Sequence, residues 1–295
     1  MSYTTTVDLT DTIPTILEEA RFTERFDNPM AALCWKIPKQ LHKGSNINVP
    51  YWGTVTAYNL TEGVDMVSAE KMEDTLVTIT PGEVGCKIII TDKLVRDNQM
   101  DVIRAAGRVL GEAMAYKQDS DILAQLDDGT NSLGSTATTM TLGVIAAARA
   151  LLMGNAVSTG GPCRPPYACV HHPYTLLDLV DVFTPLVPTA TYTSALTGPL
   201  AEDVIRNYTV GRLFGMPIIE DGNLDIATST SGKGGVFKTG MGGSIILAVA
   251  KEWGVEDERD ASLRATELNI VGEYGTGEYL AGWIVELLMD ATTPA

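Results

Sequence analysis

The sequence predicts a mixed α+β fold that is organised around one long helix. Three observations favour this class. Apolar residues recur at helical spacing between Asn98 and Asp128, apolar and polar residues alternate in the segments on either side, and helices alternate with strands from Leu142 to Lys251. The chain of 295 residues has room for two ordinary domains or one large one.

The stretch from Asn98 to Asp128 is the predicted long helix, called the spine helix below. At 1.5 Å per residue its roughly 30 residues would span roughly 45 Å. Apolar side chains in its first part fall within roughly 140° of the helical wheel, a width typical of a core-facing stripe. The stripe comprises Val102, Ile103, Ala106, Val109, Leu110, Ala113 and Met114.

The apolar stripe changes sides near the end of the spine helix. Ile122, Leu123 and Leu126 lie nearly opposite the earlier stripe, so we expect the two ends to pack on different bodies. A break in the helix within Lys117–Ser120 is the alternative explanation. In an unbroken helix Lys117 and Asp121 stand four residues apart and can form an ion pair.

Small residues form a ridge on the spine helix. Gly107, Gly111 and Ala115 are four residues apart, and each glycine costs about 1 kcal/mol relative to alanine in a helix. We therefore expect another backbone to pack closely on this ridge.

The first 45 residues predict an extended arm with one short helix at Pro14–Ala20. From Ser45 the apolar pattern changes to a period of two, which predicts a long antiparallel excursion with a polar tip at Thr61–Asp74. Its strands are expected at Asn46–Val49, Thr75–Thr80 and Lys87–Thr91, with a turn at Pro50–Gly53. A long hairpin alone is marginally stable, so we expect it to lean on another subunit.

A Ser/Thr/Gly-rich link, Gly129–Thr141, follows the spine helix and is the best internal boundary. Beyond it the sequence predicts a compact α/β unit with helices at Leu142–Met153 and Thr175–Val182. Its strands are expected at Tyr167–Val170, Gly211–Glu220 and Ser244–Ala250, and a loop at Pro185–Pro199. The final strands, Glu258–Met289 with a Gly-rich turn at Gly272–Gly277, are expected to form the sheet on the spine helix.

Composition and charge exclude several classes of protein. The formal net charge is −16, which argues against a dedicated nucleic-acid binder that relies on a basic footprint. Apolar runs are far shorter than the roughly 20 residues that span a membrane, and no secretory signal pattern is present. The four cysteines lack short paired spacing, which indicates reduced thiols.

Residues with reactive chemistry form no recognisable catalytic pattern. Cys163, Cys169, His171 and His172 have metal-ligand types, but their spacing matches no ordinary zinc site. The glycine clusters Gly232–Gly235 and Gly240–Gly243 do not fit a phosphate-binding loop and predict mobile loops instead. We interpret the acidic run at Glu256–Asp260 as a solvated strand end. The sequence predicts no catalytic, cofactor-binding or metal-binding residues, and no enzymatic activity.

The order of several short motifs resembles the major capsid proteins of tailed bacteriophages, which share the Hong Kong-type shell fold. The resemblance runs over nearly the whole chain, although each motif is short. In that family the first three motifs enter an extended loop, approach its tip and leave it, and the fourth lies in the spine helix. The motifs are Gly44–Pro50, Thr61–Gly63, Gly85–Leu94, Ala113–Leu123, Val170–Pro173 with Leu176 and Leu177, Leu213–Ile218, and Val255–Asp260.

The resemblance implies four regions. They are an N-terminal arm over 1–44, an extended β-hairpin loop over 45–92, a peripheral domain with the spine helix over 93–137 and 259–295, and an axial domain over 138–258. It also implies hexamers and pentamers that close an icosahedral virion head around double-stranded DNA, assembled in the host cytoplasm. Scaffolding, portal and decoration proteins are the implied partners. Some members cross-link through a loop lysine, but nothing beside Lys71 matches that chemistry.

Three alternatives remain open from the sequence. The first is a nanocompartment shell of the encapsulin type, which shares the fold and encloses a cargo enzyme. The second is a cytosolic α/β enzyme that uses the Cys163–His172 region. The third is an oligomeric adhesin or tail component.

Overall fold

A computed structural model of the chain describes residues 29–38, 44–53, 55–66, 69–97, 102–183, 211–224, 226 and 231–292. The predicted arm helix and the Pro185–Pro199 loop lie outside these residues. The helices described are α1 Met30–Leu33, α2 Asp92–Asp97, α3 Val102–Leu123, α4 Leu142–Met153 and α5 Pro173–Phe183. The strands are β1 Trp35–Pro38, β2 Ile47–Trp52, β3 Asp74–Ile79, β4 Gly82–Thr91, β5 Asn131–Gly134, β6 Tyr167–His171, β7 Arg212–Leu213, β8 Met216–Glu220, β9 Ser231–Lys238, β10 Ile245–Asp260, β11 Ala265–Glu278 and β12 Ile284–Asp290.

The spine helix is α3, and it runs unbroken for 22 residues before a 3-10 turn at Ala124–Leu126. The predicted long helix is therefore confirmed over its described part, and the alternative of a break at Lys117–Ser120 is wrong. Its first half packs on a four-stranded sheet through Ala106, Leu110 and Met114. The order of that sheet is β1-β10-β11-β4.

A six-stranded sheet forms the second body, in the order β5-β12-β9-β6-β8-β7. Helix α4 begins at Thr141, whose side chain accepts a hydrogen bond from the Val144 amide, and it ends at Gly154. Its buried residues join those of α5 and the sheet in one core. Every residue of β6 is buried, as expected for a strand that lies between neighbours in a covered sheet.

The apolar end of the spine helix packs where the two sheets meet. Ile122, Leu123 and Leu126 are buried against residues of both sheets, among them Phe237 of β9 and Leu247 of β10. The prediction that the two ends of the helix pack on different bodies is confirmed. This packing region, together with Asp119, Asp121, Asp221 and Tyr274, is called the junction below.

Two strands lie in sheets other than those the sequence predicts. Ser244–Ala250 is expected in the α/β unit, but it supplies the start of β10 in the four-stranded sheet. Residues of β12 are expected beside the spine helix, but β12 pairs with β5 and β9 in the six-stranded sheet. Both segments are almost wholly apolar, so their periodicity cannot distinguish which sheet buries them. The domain boundaries at 137/138 and 258/259 stay a prediction.

Glycine and proline account for several local differences. The predicted turn at Gly272–Gly277 is wrong, since this segment lies inside β11. The lack of side chains at Gly275 and Gly277 leaves room for the side chain of Ile79, which explains glycine within a strand. Gly232–Gly235 lies inside β9 rather than in a mobile loop, and Gly234 leaves room for the ring of His171. Pro50 continues β2 rather than ending it, which an edge strand tolerates.

Three short segments also depart from the predictions. The predicted strand at Gly211–Glu220 is a tight hairpin of β7 and β8, turned by Phe214 and Gly215 at positive φ. Part of the predicted Ser/Thr/Gly link forms β5, which pairs with β12. The arm includes β1, which pairs in parallel with the start of β10 and thereby gains the hydrogen bonds that an isolated arm lacks.

Candidate assembly surfaces

The predicted β-hairpin is present and is anchored at its base. Strands β2 and β3 pair antiparallel from Ile47 with Ile79 to Trp52 with Asp74. Val49 and Ile79 are buried against Ile246 and Ala248 of β10. Because side chains alternate along a strand, β10 turns Ile245 and Leu247 to the junction and its other face to the hairpin. The base of the hairpin is therefore fixed to the subunit.

The distal hairpin, residues 53–73, extends beyond this base. The amide of Gly53 donates to the carbonyl of Glu73 over 2.8 Å, so the two arms still face each other at that point. Eight large apolar side chains of the hairpin are each more than half exposed. They are Trp52, Val55, Tyr58, Leu60, Val64, Met66, Met72 and Leu76. An exposed apolar set of this size is typical of a surface that another molecule covers.

Local hydrogen bonds hold the two sides of the distal hairpin together. The Glu70 carboxylate accepts hydrogen bonds from the hydroxyl of Tyr58 and from the amide of Thr56, the latter over 2.6 Å. The bond to Tyr58 lowers the pKa of Glu70, and the same bond raises the pKa of Tyr58. Both residues are exposed to solvent. These contacts shape the distal hairpin without burying it.

The outer face of the spine helix is the second open surface. Beyond the adjacent residues and backbone of the spine helix itself, a Cβ atom added at Gly107 or Gly111 would meet no described atom within 4 Å. Tyr116 on this helix is also exposed, and so is Val109. The prediction that Val109 faces the core is wrong, because Val109 lies at the edge of the apolar stripe on the helical wheel. The prediction that a backbone packs closely on the glycine ridge is therefore not met within the described part of the subunit. A contact with another molecule at the ridge stays a prediction.

Polar contacts fasten the spine helix to its surroundings at the junction. Asp121 accepts hydrogen bonds from Lys117 over 2.6 Å and from the hydroxyl of Tyr274 over 2.9 Å, so the predicted Lys117–Asp121 pair is confirmed. Asp119 accepts from the amide of Met30 over 3.3 Å and from the side chain of Asn223 over 3.0 Å. The helix is thus tied to the arm, to β11 and to the turn after β8.

The far end of the four-stranded sheet carries the predicted acidic run. Glu256, Asp257 and Glu258 are exposed near the end of β10, as expected for a solvated strand end. Arg259 forms a two-fold ion pair with the carboxylate of Asp92 at the start of α2. This pair lowers the pKa of Asp92. The pair links the sheet to the short helix that precedes the spine.

The cysteine and histidine cluster serves packing. His171 is buried with Nε2 3.1 Å from the carbonyl oxygen of Leu287, and burial lowers its pKa to about 4. Burial raises the pKa of Cys169 to about 12 and that of Cys163 to about 11, so both are poor nucleophiles near neutral pH. Within the described ranges no three His, Cys, Asp or Glu side chains converge on a possible metal position.

Asp119, Asp221 and Tyr274 are residues of the junction that were not predicted from the sequence. Asp119 is fully buried on the face of the spine helix that packs at the junction. A signal was present, since Asp119 precedes Ile122, Leu123 and Leu126 by three, four and seven residues and so lies on their apolar side. An ionisable residue inside an apolar stripe requires buried partners.

A family model described as phage capsid protein matches residues 76–285, from the second strand of the hairpin into β12. The chain belongs to the phage capsid protein family. The predicted resemblance is thereby confirmed, and the chain is a structural protein of a virion shell. No curated protein sequence matches it.

Solved structures confirm the fold class, including the mixture of helices and strands typical of Hong Kong-type capsids. The capsid of the cyanophage P-SCSP1u is 16% identical, with a TM-score of 0.69 over 99% of this chain and 96% of that one. The acid-stable capsid of the Helicobacter pylori bacteriophage KHP30 is 11% identical, with a TM-score of 0.70 over 99% of each chain.

An encapsulin also has a similar fold. The SrpI encapsulin from Synechococcus elongatus PCC 7942 is 12% identical, with a TM-score of 0.63 over 96% of this chain and 93% of that one. At these identities the likeness shows the fold alone. Among the described residues, no helix has both the length and the apolarity needed to cross a membrane.

Proposed function

We propose that this chain is the major capsid protein of a tailed phage, and that it forms the hexamers and pentamers of an icosahedral head around double-stranded DNA. Its role is assembly rather than catalysis. Scaffolding, portal and decoration proteins are its partners, and assembly takes place in the host cytoplasm before the shell becomes part of the virion.

The distal hairpin is the observation that supports this proposal best. Its apolar side chains have no cover within the described subunit, whereas the base of the hairpin is anchored to β10 and to Tyr279, which lies between β11 and β12. Leaving the six large apolar side chains of the distal hairpin in water loses the transfer free energy of roughly 25 cal/mol per Å² that their burial would return. A neighbouring copy that covers the hairpin regains this transfer free energy, and the gain drives assembly.

The surface charge favours DNA as contents rather than as a tightly bound ligand. A net charge of −16 repels phosphates, so packaged DNA is able to leave the shell. The interior surface of the shell is therefore expected to lack a strongly basic patch.

The first test is electron microscopy of the full chain after expression and purification. We expect closed, angular shells, and a stable monomer at high protein concentration would contradict the proposal. A hairpin variant sharpens the test. Replacing residues 54–72 with Asn-Gly joins Gly53 to Glu73, which already face each other, through a turn that suits two-residue hairpins.

The shortened chain should fold but fail to form shells, because it keeps the anchored base and loses most of the exposed apolar set. Circular dichroism and thermal unfolding check the fold, and size-exclusion chromatography with microscopy checks assembly. Normal shells from the shortened chain would show that the hairpin does not drive assembly.

A nanocompartment shell is the second candidate, and the likeness to the encapsulin over 96% of the chain favours it. The contents of particles isolated from their native source distinguish the two functions. DNA protected from nuclease indicates a phage head, whereas a protein cargo without DNA indicates a nanocompartment.

A further inference from the structure

Two buried carboxyl groups meet at the junction. Asp119 of the spine helix and Asp221, directly after β8, are both 0% exposed. Asn223 donates to both groups, through its backbone amide to Asp221 over 2.9 Å and through its side chain to Asp119 over 3.0 Å, and so holds the two carboxyl groups a short distance apart. Two carboxylates at such a distance in an apolar region do not both ionise readily, because each destabilises the charge of the other.

Ordinary donors account for only three of the four carboxyl oxygens. Oδ1 of Asp119 accepts from Met30, Oδ2 of Asp119 accepts from Asn223, and Oδ1 of Asp221 accepts from the Asn223 amide over 2.9 Å. Oδ2 of Asp221 is buried and receives no N–H or O–H donor from the described residues. A proton on this oxygen would satisfy it and would provide a donor for Asp119.

We propose that Asp119 and Asp221 share one proton in the folded subunit, and that this proton clamps the arm and the 221–224 turn to the spine helix. The proton resides on Asp221 and is donated in a hydrogen bond to the Asp119 carboxylate. On deprotonation it passes to solvent and leaves two facing negative charges. The hydrogen bond from Asp221 to Asp119 therefore forms at acidic pH and is lost at alkaline pH.

The surroundings favour this assignment. Burial, together with the hydrogen bond to Asp119, raises the pKa of Asp221 to about 7. Among the described residues, Asp119 is the one whose charge raises the pKa of Asp221. The other titratable groups on the elements packed around the pair include Cys34, Lys36, Lys117, Asp121, Asp127, His171, Glu220, Lys233 and Tyr274. The charge of Lys36 lowers the pKa of Cys34, and Lys233 forms an ion pair with Asp127 over 2.6 Å.

The direction of the pH effect follows from the pKa. Because the pKa of Asp221 is about 7 in the folded subunit and 3.8 in its ordinary state, the folded form holds the extra proton between these values. The clamp contributes its full stability below pH 4 and loses it as the pH rises through about 7.

The test compares the full chain with its Asp221→Asn variant. An asparagine amide donates to Asp119 at every pH, so it replaces the shared proton permanently. We expect the melting temperatures of the two chains to be similar at pH 5 and the variant to be several degrees more stable at pH 8.5. Burial also raises the pKa of Glu278 to about 7. Because both chains contain Glu278, its effect on the melting temperature cancels in the difference between them.

Two further variants serve as controls. Asp257→Asn changes an exposed aspartate of β10 in the same chemical way and should leave the pH dependence unchanged. Asp119→Asn should lower the melting temperature at pH 5, because the amide replaces a carboxylate that accepts from both Met30 and Asn223. The loss should be smaller at pH 8.5, because the variant also removes one of the two facing charges. A constant difference between Asp221→Asn and the natural chain from pH 5 to pH 8.5 would overturn the proposal.

Infrared spectroscopy keeps the proposal testable if Asp221→Asn does not fold. In a Glu278→Gln chain, a protonated-carboxyl band should persist at pH 6.5 and disappear by pH 9. The absence of that band at pH 6.5 would equally overturn the shared proton.

Discussion

The junction and the distal hairpin contain the same kinds of side chain in opposite environments. Each has large apolar residues, and each has a tyrosine that donates a hydrogen bond to a carboxylate, Tyr274 to Asp121 and Tyr58 to Glu70. The junction residues are buried between two sheets, whereas the hairpin residues are exposed. Burial, rather than residue type, therefore decides whether these groups stabilise the subunit or remain available for assembly.

The largest difference between the two regions should come from truncating one apolar side chain in each. Ile122→Ala leaves a cavity in the junction, where Ile122 is fully buried, and should reduce the free energy of unfolding by about 2–5 kcal/mol. Chemical denaturation of unassembled subunits measures this change.

Leu60→Ala is the matched change in the hairpin, where Leu60 is 67% exposed. It should alter subunit stability by less than about 0.5 kcal/mol and should reduce the yield of shells. Equal losses of stability in the two variants would show that the hairpin is covered within the subunit.

Removing one tyrosine hydroxyl in each region should have a smaller effect. Tyr274→Phe takes a donor from Asp121 in a part-buried site and should cost about 0.5–1.5 kcal/mol. Tyr58→Phe removes the equivalent bond in solvent, where water replaces it, so thermal unfolding should not change. A measurable loss of stability in Tyr58→Phe would contradict the contrast.

The smallest effect is expected at the glycine ridge. Gly111→Ala adds a methyl group where the described subunit leaves open space, so it should stabilise the unassembled subunit by up to about 1 kcal/mol through helix propensity. If a neighbouring molecule packs on the ridge, the same variant will assemble less well. Gly234→Ala, which would collide with His171, provides the contrasting case and should destabilise the subunit.

Local periodicity predicted the elements that have one clear apolar face. The spine helix, α4 and the β2–β3 hairpin follow from spacing that is visible in short windows of sequence. The change of sides at Ile122 correctly predicted that the helix joins two bodies, because helix geometry fixes which residues share a face.

Strand placement could not be predicted in the same way. The first four residues of β10 are buried on both faces and so show no alternation, whereas β12 buries alternate residues, Val285, Leu287 and Met289. Alternation indicates which face of a strand is buried, but not which strands lie beside it. Gly234, Gly275 and Gly277 looked like parts of loops or turns, because the side chains that need their space come from distant segments.

The sequence by itself determined the family, the spine helix and the presence of the hairpin, since each depends on local pattern or on the order of motifs. The tip of the hairpin was predicted to be polar, and only the structure showed that it carries exposed apolar side chains such as Val64, Met66 and Met72. Only the tertiary structure decided which sheet holds β10 and β12 and that Asp119 meets Asp221. The physical reason is that strand pairing and buried charge depend on contacts between residues far apart in the chain, 102 positions in the case of the two aspartates (221 minus 119).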